Sequence, residues 1–201
     1  MTDEAALRLP DHQPWDHKID LIEGQTPPSG PLYAMSARES AALKPWLDSM
    51  LQSGRIRKST SPCSAPLMFV EKKDPNDPLR PVVDYRAINK MTVPVRYPIP
   101  LIQEMQDHLQ GARFFTKIDL KSGFNLIRMA KGHEWKTAFK CKYGLYEYLV
   151  MPFGLMNAPA TFQALMNFIF HDLLDAGVLV YIDDILIYAA TMEEHDVLVK
   201  E

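Results

Sequence analysis

The stretch Gly177-Val-Leu-Val-Tyr-Ile-Asp-Asp-Ile-Leu-Ile-Tyr188 decides how this chain is read. Val178–Tyr181 and residues 185–188 are short apolar, β-branched runs, bounded by Gly177 on one side and Ala189-Ala190-Thr191 on the other. The pattern predicts a hairpin with both arms largely buried and a turn at Ile182-Asp183-Asp184. Two adjacent carboxylates at such a turn repel each other and lose hydration. A divalent cation is the economical way to hold them; an ordinary solvated turn, where Asp is common, is the alternative.

Working outward, the next piece is Phe114-Phe-Thr-Lys-Ile-Asp119, a strand that ends in a carboxylate, followed by Leu120-Lys-Ser-Gly-Phe124 as a turn or helix start. If this strand neighbours the hairpin, Asp119, Asp183 and Asp184 converge at one end of a sheet. That is a ligand set for two Mg²⁺ ions about 3.5–4 Å apart, as in nucleotidyl transfer, with the Leu120 carbonyl as a further hard oxygen ligand. Between strand and hairpin, a second strand pair is expected at 136–140 and 147–150, around Tyr143-Gly144. A helix is expected from Asn157-Ala-Pro159 to about residue 174, with Phe162, Leu165, Met166, Ile169 and Leu173 on one face. A last helix is expected over 191–201. The order from residue 114 on predicts an antiparallel sheet backed by helices, an α+β lobe.

Upstream, residues 1–35 hold five prolines and read as an extended arm with at most one strand, at 17–21. Ser36-Ala-Arg-Glu39 is a capping box opening a helix to Gly54, with Pro45 inside it. Strands at 67–71 and 80–85 form another hairpin, whose connection carries Lys72 and Lys73. A short amphipathic helix is expected at 101–109.

With 201 residues, 47% apolar and 23% charged, the chain has ordinary globular composition and can build one large domain or two small lobes. No apolar run approaches the roughly 20 residues of a membrane span. The start, Met-Thr-Asp-Glu, lacks the basic residues of a secretory or transit peptide, so an intracellular setting, cytoplasm or particle, without membrane is expected. Cys63 and Cys141 have no metal-type spacing. A net charge of −3 excludes binding to nucleic acid by bulk charge alone, yet residues 54–100 carry nine basic groups against four acidic ones, and residues 101–201 carry nine against thirteen. A phosphate-holding surface and a cation-holding site fit that asymmetry.

Four motifs in register, Leu79-Arg-Pro-Val-Val-Asp-Tyr-Arg-Ala-Ile-Asn89, Phe115-Thr-Lys-Ile-Asp-Leu120, Val150-Met-Pro-Phe-Gly-Leu-Met-Asn-Ala-Pro159 and Tyr181-Ile-Asp-Asp184, together resemble the reverse transcriptase of gypsy-type long-terminal-repeat retrotransposons. The resemblance runs from about residue 8 to 196. It implies a right-hand polymerase: an N-terminal arm over 1–29, fingers over 30–95 and an incomplete palm over 96–201, with the thumb absent. Asp119, Asp183 and Asp184 take the metal and catalytic roles, with Mg²⁺ (or Mn²⁺) as cofactor and Asp183 the more direct ligand. Lys73, with Lys72 as its alternative, and Arg80 match fingers residues that close on the triphosphate. Leu120, Ser122 and Gly123 fall among the nucleotide-binding residues, as do Phe153 and Gly154. Phe124 falls where the family places an aromatic beneath the sugar, excluding a ribose 2′-hydroxyl; a plain core phenylalanine is the alternative. Phe124-Asn125 stands where such elements more often show Tyr-His.

The implied partners are a primed RNA or DNA template, deoxynucleoside triphosphates, and the thumb and ribonuclease H segments of a longer polyprotein. The implied activity is RNA-directed DNA polymerisation. The competing readings are another two-metal enzyme, such as an RNA-dependent RNA polymerase or a cyclase, and a truncated or domesticated remnant that binds nucleic acid at most. An aromatic at 124 disfavours the first, and the absence of a Gly-Gly-Asp-Glu-type turn disfavours a cyclase.

Overall fold

A computed structural model describes residues 9–71 and 79–201. The chain divides into two compact units, Met1–Pro94 with Phe124–Ala158, and Val95–Gly123 with Pro159–Glu201. One segment of the second unit thus interrupts the sequence of the first and the other follows it, which no local signal in the chain announces.

The first unit is built on a five-stranded sheet in the order β1-β6-β5-β2-β3, where β1 is Ile56–Lys58, β2 Ala65–Glu71, β3 Leu79–Val83, β5 Phe139–Cys141 and β6 Gly144–Tyr148. Every pairing is antiparallel except β2 with β5, which run parallel with Ala65 opposite Phe139. Helix α1, Ala37–Gln52, opens on the capping box: the Ser36 hydroxyl accepts from the Glu39 N–H, and the Glu39 carboxylate accepts from the Ser36 N–H. Leu43 and Leu47 are buried from this helix, and Phe139, Leu67 and Tyr85 fill the core. The Tyr85 hydroxyl, fully enclosed, donates to the Thr137 carbonyl at 2.8 Å, which is why a tyrosine is tolerated there. A short helix α2, Arg86–Asn89, follows β3.

The N-terminal arm is sewn onto this unit by single bridges, His17 with Met129, Leu21 with Thr92 and Ser29 with Ser64, rather than by the strand expected at 17–21. Ile19 is buried, and its N–H donates to His133 Nδ1 at 2.9 Å while its carbonyl accepts from Lys136 Nζ at 2.6 Å. The strands expected at 136–140 and 147–150 lie instead at β5 and β6. Residues Glu134–Thr137 form a 3₁₀ turn because the Thr137 hydroxyl donates back to the Glu134 carbonyl at 2.6 Å.

The second unit is a three-stranded antiparallel sheet in the order β4-β8-β7, with β4 Phe114–Asp119, β7 Val178–Tyr181 and β8 Asp184–Ala189. It also contains α3, Ile102–His108, nearly all of α4, Ala158–Ile169, and α5, Met192–Lys200. Strand β7 is buried along most of its length, whereas β8 alternates, with Ile185, Ile187 and Ala189 inward and Asp184 exposed. The expectation of two largely buried arms therefore holds for β7 only. Helix α4 stops at Ile169 rather than near 174. Turns take over there, and Asp175 adopts a left-handed conformation with φ 61°. Helix α5 approaches so closely that a Cβ on Gly177 would lie 2.4 Å from Leu198 Cδ1.

The architecture is α+β with predominantly antiparallel sheets, and among the described residues no helix is long and apolar enough to cross a membrane.

Candidate active site

The three aspartates belong to the second unit and to one end of its sheet. Strand β4 pairs with β8 along its whole length, from Phe114 opposite Ala189 to Asp119 opposite Asp184. Tyr181 pairs with Asp184, so the hairpin connection is two residues, Ile182 and Asp183. Along β4, residues 115, 117 and 119 are exposed and 114, 116 and 118 half-buried, so Lys117 and Asp119 share one face. Asp119 and Asp184 are exposed and Asp183 is half-buried, so the desolvation expected at this turn falls mainly on Asp183.

Ile182 takes φ 55°, a left-handed value that is a genuine outlier for a β-branched residue. Such conformations cost on the order of 1–3 kcal/mol and persist only where surrounding contacts over-determine them. Here the contact comes from Gln163 on α4, whose side chain is fully buried. Its Oε1 accepts from the Ile182 N–H at 2.7 Å, and its Nε2 donates to the Val180 carbonyl at 3.3 Å and to Asn167 Oδ1 at 2.8 Å.

The convergence is one of strands more than of side chains. Among the described residues no three Asp, Glu, His or Cys side chains are gathered closely enough to hold a metal ion by themselves. Instead Lys117 Nζ lies 2.7 Å from Asp184 Oδ1. The Lys117 pKa is raised, first by its hydrogen bond to Asp184 and by that residue's charge, with Asp119 and Asp183 adding to it. All three carboxylates therefore act on this one ammonium group. The donor set fits Mg²⁺, which keeps several waters and is commonly bound through one or two carboxylates plus substrate phosphates rather than in an all-protein cage.

The segment after Asp119 is a tight turn: Ser122 has φ 55°, and the Leu120 carbonyl accepts the Gly123 N–H at 3.1 Å. One lone pair on that carbonyl is committed to the turn, leaving the other for a ligand. A Cβ on Gly123 would come within 3.1 Å of Phe162 Cζ, so close packing alone already accounts for the glycine.

The aromatic and basic candidates belong to the first unit. Phe124 is only 7% exposed and stacks on Phe153, with ring centroids 4.7 Å apart. Phe153 is 40% exposed, and the Arg80 guanidinium lies over its ring at 4.7 Å. Phe153 thus contacts both the Arg80 guanidinium and the Phe124 ring. Gly154, at φ 92°, needs its missing Cβ for conformational reasons, and its carbonyl accepts from Asn89 Nδ2 at 2.7 Å while Asn89 Oδ1 accepts from the Met156 N–H at 2.9 Å. Asn125 donates to the Met151 carbonyl at 3.0 Å, so this residue secures the same loop. Asp84 is held by both Nε and Nη2 of Arg86, which pull its pKa down to about 2. Lys72 and Lys73 lie outside the described residues.

Gln163, Lys117 and Asn89 escaped the sequence reading. Gln163 left a faint signal, an amide set among Phe162, Leu165 and Met166. Lys117 and Asn89 left none beyond their place inside motifs.

The model for the family described as reverse transcriptase (RNA-dependent DNA polymerase) matches residues 70–201. The chain is 43% identical over 169 residues to the transposon Tf2-3 polyprotein of Schizosaccharomyces pombe, an alignment that covers 84% of this chain and 12% of that protein. Among solved structures, the foamy viral protease-reverse transcriptase bound to an RNA/DNA hybrid is similar at TM-score 0.79 and 26% identity, over 91% of this chain and 24% of that one. The foamy viral protease-reverse transcriptase dRH in complex with double-stranded DNA matches at TM-score 0.74 and 27% identity, over 92% and 32%.

Proposed function

Since the chain belongs to the reverse transcriptase (RNA-dependent DNA polymerase) family, in the branch of the long-terminal-repeat retrotransposons, we propose that it supplies the nucleotidyl-transfer centre of a polymerase that extends a primer 3′-hydroxyl with deoxynucleoside triphosphates on an RNA or DNA template. The observation that carries this reading is the register of β4 on β8, which sets Asp119 opposite Asp184 beside a turn bearing Asp183.

In this reading Asp119, Asp183 and Asp184 hold divalent magnesium, with the Leu120 carbonyl as a further oxygen donor. The bound ions would supply a lowered pKa for the attacking hydroxyl and charge neutralisation at the triphosphate. The chain's own residues do the rest. Lys117 offsets the charge of the carboxylates through its ion pair with Asp184. Arg80, and a lysine of the 72–73 pair, offer guanidinium and ammonium groups to triphosphate oxygens. The planar surface of Phe124, backed by Phe153, excludes a ribose 2′-hydroxyl. Ser122, Gly123 and Gly154 let backbone approach the nucleotide.

The division into an arm over 1–29, fingers over 30–95 and a palm over 96–201 remains part of this proposal, as does an intracellular particle as the setting. The chain spans 12% of the length of its transposon relatives, so the thumb and ribonuclease H segments that would complete the duplex cleft are proposed partners. The test is RNA-templated primer extension by the chain joined to the following segments of a Tf2-type polyprotein. Incorporation of deoxynucleotides that requires template, primer and Mg²⁺ supports the reading. Binding of the primed template without any incorporation favours the non-catalytic remnant.

A further inference from the structure

We propose that Gln163 is a positioning residue for the metal-holding turn, completing the outer edge of β7 so that Ile182 stays left-handed and Asp183 stays aimed. The inference rests on the reading of Asp183 as a metal ligand. In the sheet order β4-β8-β7, strand β7 is an edge. The Val180 carbonyl and the Ile182 N–H, two residues apart, point to the same side of an extended chain, away from β8. Such groups, when buried, need partners.

The Gln163 amide supplies both. Its Nε2 donates to the Val180 carbonyl at 3.3 Å, and its Oε1 accepts from the Ile182 N–H at 2.7 Å. That is the donor–acceptor pattern of one rung of a parallel ladder, made here by a side chain in place of a neighbouring strand. A fully buried amide beside Phe162, Leu165 and Met166 is explained by this rung. The amide is itself oriented: Nε2 also donates to Asn167 Oδ1 at 2.8 Å, and Asn167 Nδ2 donates to the Tyr97 hydroxyl at 3.0 Å. With the Gln163 rotamer fixed, the hydrogen bond to Ile182 opposes relaxation of its φ of 55°. Any relaxation there rotates the following peptide and moves Asp183. Methionine could fill the same volume as glutamine, but it could not hold the turn.

Mn²⁺ binding to the 201-residue chain, titrated by electron paramagnetic resonance, tests this without reference to catalysis. Gln163→Met is expected to weaken Mn²⁺ binding at least fivefold. Gln163→Met with Ile182→Gly is expected to recover most of that loss, because glycine occupies positive φ without support. Asp183→Asn serves as the control. If Asp183→Asn removes Mn²⁺ binding while Gln163→Met leaves it unchanged, or if the glycine double variant stays as weak as Gln163→Met, the positioning role is overturned. If Asp183→Asn itself has no effect, the metal reading fails and takes the positioning role with it. Should Gln163→Met not fold, amide exchange in the unaltered chain decides. Protection of the Ile182 N–H supports the proposal, and exchange at the rate of a free peptide overturns it.

Discussion

Replacing Phe124 by valine separates the two roles that its position allows. The ring is 7% exposed and stacked on Phe153 at 4.7 Å, so it is both a packed side chain and the proposed barrier to a 2′-hydroxyl. Complete truncation of a buried phenylalanine to alanine costs about 3–5 kcal/mol, and valine retains part of the volume. Loss of the aromatic pair removes about 0.5–1.5 kcal/mol of what the ring contributes. A total destabilisation of about 2–3 kcal/mol is therefore expected, read as a lower urea midpoint with unchanged slope. If the ring also faces the sugar, the space opened beside it admits a hydroxyl. The ratio of kcat/KM for deoxy- over ribonucleotides should then fall by about tenfold or more, equivalent to about 1.4 kcal/mol of lost discrimination. Both quantities are measured on one preparation carrying the downstream segments. Phe153→Leu, which removes the stacking partner but leaves Phe124, should show a smaller loss of each. A stability loss of the expected size with an unaltered nucleotide ratio would show that Phe124 is core packing alone and that sugar exclusion lies elsewhere.

Two further outcomes follow from the packing. Gly177→Ala sets a Cβ 2.4 Å from Leu198 Cδ1 at a backbone φ of 117°, and should destabilise the second unit by about 2–4 kcal/mol in urea unfolding. Adding Leu198→Ala should recover the steric part and leave the backbone part, whereas a neutral Gly177→Ala would contradict the close approach of α5. His17 in the first unit is buried, and desolvation holds its pKa down at about 4 against an ordinary 6.5. Its folded value lies below its unfolded one, so its contribution is fully present above pH 6.5 and is lost as pH falls toward 4. The loss totals about 3 kcal/mol. His17→Leu should flatten the stability profile of that unit across this window, and an unchanged profile would count against the buried neutral imidazole.

Apolar, β-branched runs bounded by turn residues carried much of the fold into view. The hairpin arms stood out as short apolar, β-branched runs, residues 114–119 as a strand ending in a carboxylate, and the capping box at Ser36 and Glu39 fixed the start of α1. The aspartates were legible because a carboxylate at the end of one strand and a pair in a neighbouring turn have few shared explanations. What stayed hidden depends on contacts far apart in sequence. The rung made by Gln163 to Val180 and Ile182 spans 17 to 19 residues and needs the hairpin folded against the helix before it exists. Asn89 reaches 65 residues to the Gly154 carbonyl. The 3₁₀ turn at 134–137 displaced the expected strand because one threonine hydroxyl competed for a backbone carbonyl, which propensity does not record. Lys117 looked like an ordinary exposed strand residue until the register put Asp184 beside it.

The central claim is that the carboxylates at the end of the β4-β8-β7 sheet hold the ions for nucleotidyl transfer, and Asp183→Asn tests it most directly. The substitution keeps the size of the side chain and removes one charged oxygen donor, so the fold should be retained by circular dichroism and unfolding midpoint. In single-turnover primer extension with the downstream segments present, Mg²⁺-dependent incorporation is expected to fall by about a thousandfold or more. Incorporation within tenfold of the unaltered chain, on a protein shown to be folded, would contradict the assignment.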